Sequence, residues 1–377
     1  MKFFRIIKDR IADPPYDYNF LYNLQESEYP KYLAKFFYLS TGERLPLRHG
    51  VIDKKKCKTF NQKIQWLKLY NATPLKRDCT DKVKVREYVK EKIGEEYLKP
   101  VLQIIPNKSH ETMHCHCEQV SDNLGLARQS GDISNDIPDC RVAQMTAAPR
   151  LRFPKFQFRE NRVLAEYNDG ESNAVSTYFD KIDFDKLPNS FVIKTNHGCK
   201  WQYIIKNKEE FLQNKRLFEL VKRNITGWLE QDYCFWGGFE LNYRGIKPKI
   251  LIEALLREEI NKPSKEIHVY CFNGKAKYFI KLHNEREITI FNENLKYVDD
   301  ILCNGDVKVF ENLDDYINQT LILKLSEKLS QNFKFVRIDW MIYQNKLYFE
   351  EMTFTPYSGF NARLKNKFNV NFGNLIN

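Results

Sequence analysis

The sequence predicts an α+β fold of antiparallel sheets and helices, preceded by a helical N-terminal region. Two observations carry that expectation. Short apolar runs pair around two-residue turn signals, Asn273-Gly274 between His268–Phe272 and Lys277–Ile280, and Gln344-Asn345 between 335–342 and 346–350. Such dipeptides close hairpins, not the long crossovers of a doubly wound parallel sheet. Near the start, Phe60, Ile64 and Leu67, with Trp66 and Tyr70 less tightly, recur at helical spacing until Pro74 ends the pattern.

A second helix is expected from near Asp81, turning Val85, Tyr88, Val89 and Ile93 inward and stopping at Gly94. Between about 103 and 176 the composition changes. Lysine, abundant elsewhere, is reduced to Lys108 and Lys155, and Ser, Asp, Asn, Gly and Pro leave no sustained period. That stretch is expected to be an atypical insertion, loop or disordered. The division is therefore 1–102, a helical region; 103–176, the insertion; 177–360, the main body; and 361–377, a tail. In the body, Phe191–Ile193 and Tyr203–Ile205 flank a glycine turn as a hairpin. Ile250–Ile252 forms another strand, and a helix runs through Leu321, Leu325 and Leu329. No internal repeat is visible.

At 377 residues the chain exceeds one ordinary domain, and 42% hydrophobic content suffices for a sizeable core. No apolar run approaches the roughly 18 residues of a membrane-spanning helix. Met1–Arg10, broken by Arg5 and Lys8, lacks the apolar stretch of a secretory signal. A cytoplasmic protein without a membrane span is expected, with peripheral association left open. Nine cysteines, most of them isolated, suit reduced thiols. The formal charge of +11 suits an anionic partner: nucleotide, charged glycan, membrane surface or nucleic acid. Aromatic residues follow core periodicity and not a basic stripe, which argues against nucleic acid.

The residues that bear chemistry lie at strand ends. Strand alternation sends Arg337 and Asp339 to one face, and Glu351 and Thr353 share a face of the partner strand. Two carboxylates beside an arginine suit a hard cation and a phosphoryl group, although an ordinary surface ion pair has the same composition. Lys194-Thr195-Asn196-His197-Gly198-Cys199-Lys200 joins two strands. A lysine with a small polar glycine turn can face a phosphate chain, and so can a plain hairpin turn. Glu253 closes a strand ahead of Ala254-Leu255-Leu256, a pattern that suits an adenine slot.

In this order the segments resemble the ATP-grasp superfamily, and within it the teichuronopeptide-biosynthesis (TupA-like) group. The resemblance covers about 36–100 and 178–360. It is carried by Phe60 to Trp66, Asp81-Lys82 through Val89, Leu187 to Gly198, Tyr270-Cys271-Phe272-Asn273-Gly274, and Arg337-Ile338-Asp339 through Glu351 to Pro356. It implies an ATP-grasp architecture whose first part lies within 1–102. Lys82 and Lys194 would hold ATP phosphates with His197 and Gly198, Glu253 and Leu256 would meet the adenine, and Glu258 or Glu259 the ribose. Arg337 would steady an acyl-phosphate, and Asp339, Glu351 and Thr353 would hold Mg²⁺. The group usually has Asp-Tyr-Lys where this chain has Glu266-Ile267-His268, so His268 stands in a catalytic lysine's place. The implied reaction is carboxylate–amine ligation driven by ATP, acting on small amine and carboxylate substrates and an anionic glycan or its precursor.

Other signals are weaker. His110, His114, Cys115, His116 and Cys117, with Cys140 nearby, crowd together without the two spaced ligand pairs of structural zinc. Asp183-Phe184-Asp185 has the spacing of a glycosyltransferase metal site, the main rival function. An inactive nucleotide-binding scaffold is the third reading.

Overall fold

The computed structural model describes residues 24–106, 178–235, 238–260, 264–282, 287–298, 307–308, 318–361, 364 and 366–376. All belong to one unit made of residues 1–110 and 177–377. Helix α1 (Tyr29–Thr41) and the hairpin β1 (Leu47–Arg48) with β2 (Val51–Ile52) open the chain. Helix α2 (Phe60–Tyr70) starts where Thr59 and Gln62 cap each other. Pro74 does more than end that helix. It is the first residue of α3 (Pro74–Thr80), capped by Thr73, because proline's fixed φ suits a first helical turn. Helix α4 (Val85–Ile93) follows and stops at Gly94.

A four-stranded sheet has the order β3 (Val101–Pro106), β6 (Lys249–Ala254), β4 (Phe191–Thr195), β5 (Gln202–Ile205), every pair antiparallel. Strand β3 corrects one expectation: Gln103–Pro106, read as the start of the insertion, is ladder-bonded to Lys249–Ile252. An edge strand tolerates its terminal proline because no ladder donor is needed there. The remainder of the insertion, with its His/Cys cluster, lies outside the described residues. Helices α5 (Lys208–Gln213) and α6 (Lys215–Leu229) cover this sheet, and Val221, Ile225, Trp228 and Leu229 meet Phe191, Ile193, Ile250 and Ile252.

A six-stranded sheet has the order β10 (Val307–Lys308), β9 (Glu287–Asn292), β8 (Lys275–Leu282), β7 (Lys265–Phe272), β11 (Phe335–Tyr343), β12 (Lys346–Thr353), antiparallel apart from the β9–β10 pair. Both expected hairpins form. Asn273 and Gly274 take φ of 48° and 76°, and Gln344 and Asn345 take 49° and 57°, the left-handed pair that a two-residue hairpin needs.

One face of this sheet, with Val269, Cys271, Val336, Ile338 and Trp340, packs on α7 (Gln319–Ser330) and on Val85 and Val89 of α4. The buried Trp340 indole donates to Ser326 Oγ at 2.8 Å. The opposite face is divided along β11. Its start, with Phe335, Tyr270 and Phe272, is closed by Phe60, Ile64 and Leu67 of α2 and by Phe372 of α8 (Asn366–Asn374). Each such side chain contributes about 1.5–3 kcal/mol when buried. Beyond that plug the same face turns polar, and there the candidate residues gather.

Candidate functional site

Register brings the acidic pair together. Asp339 lies opposite His268 on β7 and Glu351 on β12, and Arg337 lies opposite Tyr270 and Thr353. Between Asp339 and Trp340 the ladder shifts, leaving Glu350 as an extra residue in β12. A bulge of this kind re-aims side chains. The two consecutive glutamates therefore serve different partners: Glu350 reaches Lys99, while Glu351 joins Thr353 and Arg337.

The Arg337 guanidinium grips Asp339 as a fork, Nε donating to Oδ1 at 2.6 Å and Nη2 to Oδ2, and also donates to Thr353 Oγ1 at 3.2 Å. The Thr353 hydroxyl lies 2.7 Å from Glu351 Oε1. Burial pushes the Asp339 carboxyl up, and Arg337 works against it. Burial also opposes charge on Glu351, but Lys82 above all, then Arg337, a hydrogen bond from Thr353, and Lys194 bring its carboxyl down to about 2. Two lysines remote in sequence are therefore within electrostatic reach of the acidic pair.

Local bonding explains how Lys82 arrives there. Asn196, fully buried at the end of β4, donates to Asp81 Oδ1 at 2.9 Å and Lys247 O at 3.1 Å, and accepts from the Lys249 N–H at 2.7 Å. The Lys82 N–H donates to Asn196 O, and its Nζ donates to Gly198 O at 2.5 Å. The loop needs glycine at 198, because a Cβ would fall 2.3 Å from Trp201 Cε3. Lys194 leads into this turn and pairs with Glu253 across the β4–β6 ladder, Nζ to Oε2 at 2.6 Å.

The same Glu253 oxygen lies 3.1 Å from Lys99 Nζ, and Lys99 also pairs with Glu350. Burial disfavours the Glu253 charge, yet Lys194 and Lys99 together hold its carboxyl at about 2. Lys99, Glu350 and Asn196 were not expected from the sequence. Lys99 stands among many lysines with no pattern to mark it, and Glu350 becomes visible only through the bulge.

Arg337, Asp339, Glu351, Thr353 and Lys82 converge, with Lys194 behind them. His268 borders the group, its Nε2 3.8 Å from Asp339 Oδ2. His197 does not join. Its imidazole is buried, with Nε2 3.0 Å from Trp228 O and 3.2 Å from Gln231 O, so it braces the end of α6. Glu253 is a buried ion-pair centre, its carboxylate taken up by Lys194 and Lys99. Glu258 pairs with Lys265 at 3.1 Å, and Glu259 is exposed. Asp183 is taken up by Lys186 at 2.7 Å.

Among the described residues no set of three or more His, Cys, Asp or Glu forms a metal cage. Mg²⁺ asks for less, one or two carboxylates with phosphate oxygens and water supplying the remainder. The ionised Glu351 beside Asp339 fits that demand.

Two sheets whose lysines and carboxylates face one another in this way define an ATP-grasp fold. Residues 171–377, more than half of the chain, match the model of the TupA-like ATPgrasp family. The chain belongs to that family. No curated protein matches it. Among solved structures it is similar to D-alanine–D-alanine ligase from Bacillus anthracis complexed with ATP, with 17% identity, coverage of 47% of this chain and 44% of that one, and a TM-score of 0.26. For the D-alanine–D-alanine ligase from Helicobacter pylori the values are 14%, 53%, 51% and 0.26. The chain spans about half the length of these ligases. Among the described residues no helix is long and apolar enough to cross a membrane.

Proposed function

We propose that the chain is an ATP- and Mg²⁺-dependent carboxylate–amine ligase acting in the cytoplasm, which attaches an amino acid or peptide to a surface polysaccharide or its precursor. The observation that carries the proposal is the setting of Glu351, a half-buried carboxylate kept ionised by Lys82, Arg337 and Lys194 drawn from both sheets and from the N-terminal region. A surface ion pair has no need of that convergence. Sites that tune buried charge in this way are candidates for catalysis.

In the proposed reaction a substrate carboxylate oxygen attacks the γ-phosphorus of ATP and ADP leaves. The amine nitrogen then attacks the acyl carbon, phosphate departs and the amine gives up a proton. Lys82 and Lys194 hold the phosphate chain, and the backbone of Ala254–Leu256 meets the base. Arg337 steadies the acyl-phosphate and the oxyanion that follows, the electrostatic role that dominates such chemistry. Asp339 and Glu351, with Thr353 beside them, would hold Mg²⁺, which neutralises charge on the transferred phosphoryl group. His268 borders the site where the family usually has lysine, and would contact the phosphoryl group as a weaker partner. The charge of +11 is compatible with an acidic acceptor.

Calorimetric titration with ATP, ADP and UDP-sugars in the presence of Mg²⁺ tests the reading. ATP should bind, Asp339→Asn should abolish productive binding, and ADP should appear only when an amine and a carboxylate are both supplied. UDP-sugar binding without ATP binding would instead favour glycosyl transfer, and tight ATP binding without turnover an inactive scaffold.

A further inference from the structure

Shortly after Thr353 the chain makes a turn that is costly for the backbone. Tyr357, Ser358 and Gly359 take φ of 52°, 52° and 68° in succession, the left-handed region that side chains larger than asparagine rarely enter. Glycine is required at 359, because a Cβ would fall 2.4 Å from Gln65 Nε2 and 2.7 Å from Ile64 Cγ2. Helix α2 locks the turn in place. Gln65 Nε2 donates to the Ser358 and Gly359 carbonyls at 3.1 and 2.9 Å. Lys68 Nζ donates to the Ser358 carbonyl and hydroxyl at 3.0 and 2.9 Å. On the other side the Thr355 hydroxyl bonds Glu240, and Ser358 meets the same carboxylate. Glu240 follows a second tight turn, with Gly238 and Phe239 at φ of 74° and 65°. Lys68 and Glu240 are both buried and attract one another.

None of this is an economical way to stabilise a fold. A buried ion pair adds little compared with apolar packing, and left-handed residues other than glycine cost energy. Strained backbone persists where its surroundings over-determine it, and it gathers at functional sites. What the turn achieves here is the placing of Tyr357. That side chain is 60% exposed, although Phe354, Thr355, Pro356 and Gly359 around it are buried. Its phenol lies within electrostatic reach of the buried Tyr270, whose hydroxyl is bonded to Arg337. Burial pushes the Tyr270 phenol up, Arg337 works against that, and Tyr357 adds to it. Tyr270 and Thr353 lie opposite Arg337 on its two neighbouring strands. Tyr357 therefore stands on the Tyr270 side of the Arg337 fork, and among the described residues none bonds its hydroxyl.

We propose that Tyr357 is a further contact of the reacting group, its hydroxyl donating to an oxygen of the phosphoryl group in transfer, with Lys68 and Glu240 as the residues that position it. The inference rests on the ligase reading and adds a residue to its site. No bond to tyrosine is made or broken. A neutral O–H aimed at a charged oxygen stabilises it and leaves the balance between the surrounding cations and carboxylates as it was.

The test is calorimetric titration of the full chain with ATP and with ADP, Mg²⁺ present throughout, beside thermal melts. Tyr357→Phe keeps the ring and should weaken ATP binding roughly tenfold while leaving ADP binding unchanged. Tyr357→Asn also lacks the phenol but suits a left-handed φ, so it should lose the same preference for ATP while its Tm rises. A merely structural tyrosine would not move affinity and stability in opposite directions. Lys68→Met should reduce the preference for ATP in the wild-type background and have little further effect once Tyr357 is Phe. The exposed Tyr357 variants keep the proposal open to refutation even if Lys68→Met fails to fold. An unchanged ATP-to-ADP ratio in Tyr357→Phe, equal loss of both nucleotides, or full additivity with Lys68→Met would overturn it. Each of those outcomes leaves ATP binding dependent on Asp339, whereas failure of the ligase reading appears as no ATP binding by the wild type, or binding indifferent to Asp339→Asn.

Discussion

Replacing Glu253 by Gln removes the negative charge that two buried ammonium groups share. Glu253, Lys194 and Lys99 are 4%, 3% and 7% exposed, so solvent does little to screen them. Burial raises the Glu253 carboxyl, but Lys194 and Lys99 outweigh it and hold the group at about 2 against an ordinary 4.5. At about 1.4 kcal/mol per pH unit, that depression corresponds to about 3 kcal/mol of stability. The sign follows from the lowered folded value. The contribution is complete above the unfolded pKa near 4.5 and is lost as pH falls towards 2. Breaking a buried pair by removing one partner costs about 3–5 kcal/mol, in agreement. Glu253→Gln should therefore lower the unfolding free energy by about 3 kcal/mol at neutral pH, with the gap closing as acid neutralises the wild-type carboxyl. Urea unfolding followed by tryptophan fluorescence, from pH 7 downward, reads both quantities. A gap below about 1 kcal/mol, the range of exposed pairs, or one that ignores pH, would refute the reasoning.

Gly198→Ala should cost about 1–3 kcal/mol in thermal melts, because the new Cβ forces Trp201 or the backbone aside, and it should raise the KM for ATP. Asn196→Ala strips partners from Asp81, Lys247 and Lys249; we expect about 1–3 kcal/mol of lost stability and weaker ATP binding by calorimetry, since Asp81, next to Lys82, loses its anchor. Arg337→Lys keeps the charge but not the two-pronged grip on Asp339. In a steady-state ADP-release assay it should lower kcat roughly 100-fold with little change in ATP affinity.

Much of this site was legible because alternation and turn chemistry are local. Asn273-Gly274 and Gln344-Asn345 fix their hairpins, and once the hairpins pair, Arg337, Asp339 and Thr353 must share a face. What stayed hidden depends on geometry that no period encodes. The bulge beside Trp340 turns Glu350 towards Lys99, and strict alternation cannot foresee it. The placing of His197 was open for a related reason: a histidine in a glycine turn can face solvent or core, and only the packing of α6 against β4 decides. Pro74 was half read, since a proline after a helix both stops it and suits the next first turn. Strand β3 was missed because Val101–Pro106 adjoins a stretch of different composition and gains its ladder only from β6, far along the chain.

The charges at this site also bear on why a magnesium ion should accompany the nucleotide. Lys82, Lys99, Lys194 and Arg337 face Glu253, Glu350, Asp339 and Glu351, four cations and four carboxylates linked by the contacts described above. The protein's own charges therefore nearly cancel. A triphosphate entering such a group would bring several uncompensated negative charges into a region where half of these side chains are buried, and removing unpaired charge from water costs several kcal/mol per ion. Lys82 would meet part of it directly, whereas Lys194 and Lys99 could turn towards the phosphates only by loosening their pairs with Glu253 and Glu350. A divalent cation carried in with the phosphates would reduce the imbalance, with Asp339 and Glu351 as its proposed ligands and the Arg337 fork left for the transferred phosphoryl group. On this reasoning the balance of fixed charge, and not only the presence of two carboxylates, would make nucleotide binding depend on Mg²⁺, and omitting Mg²⁺ from the titration should weaken ATP binding.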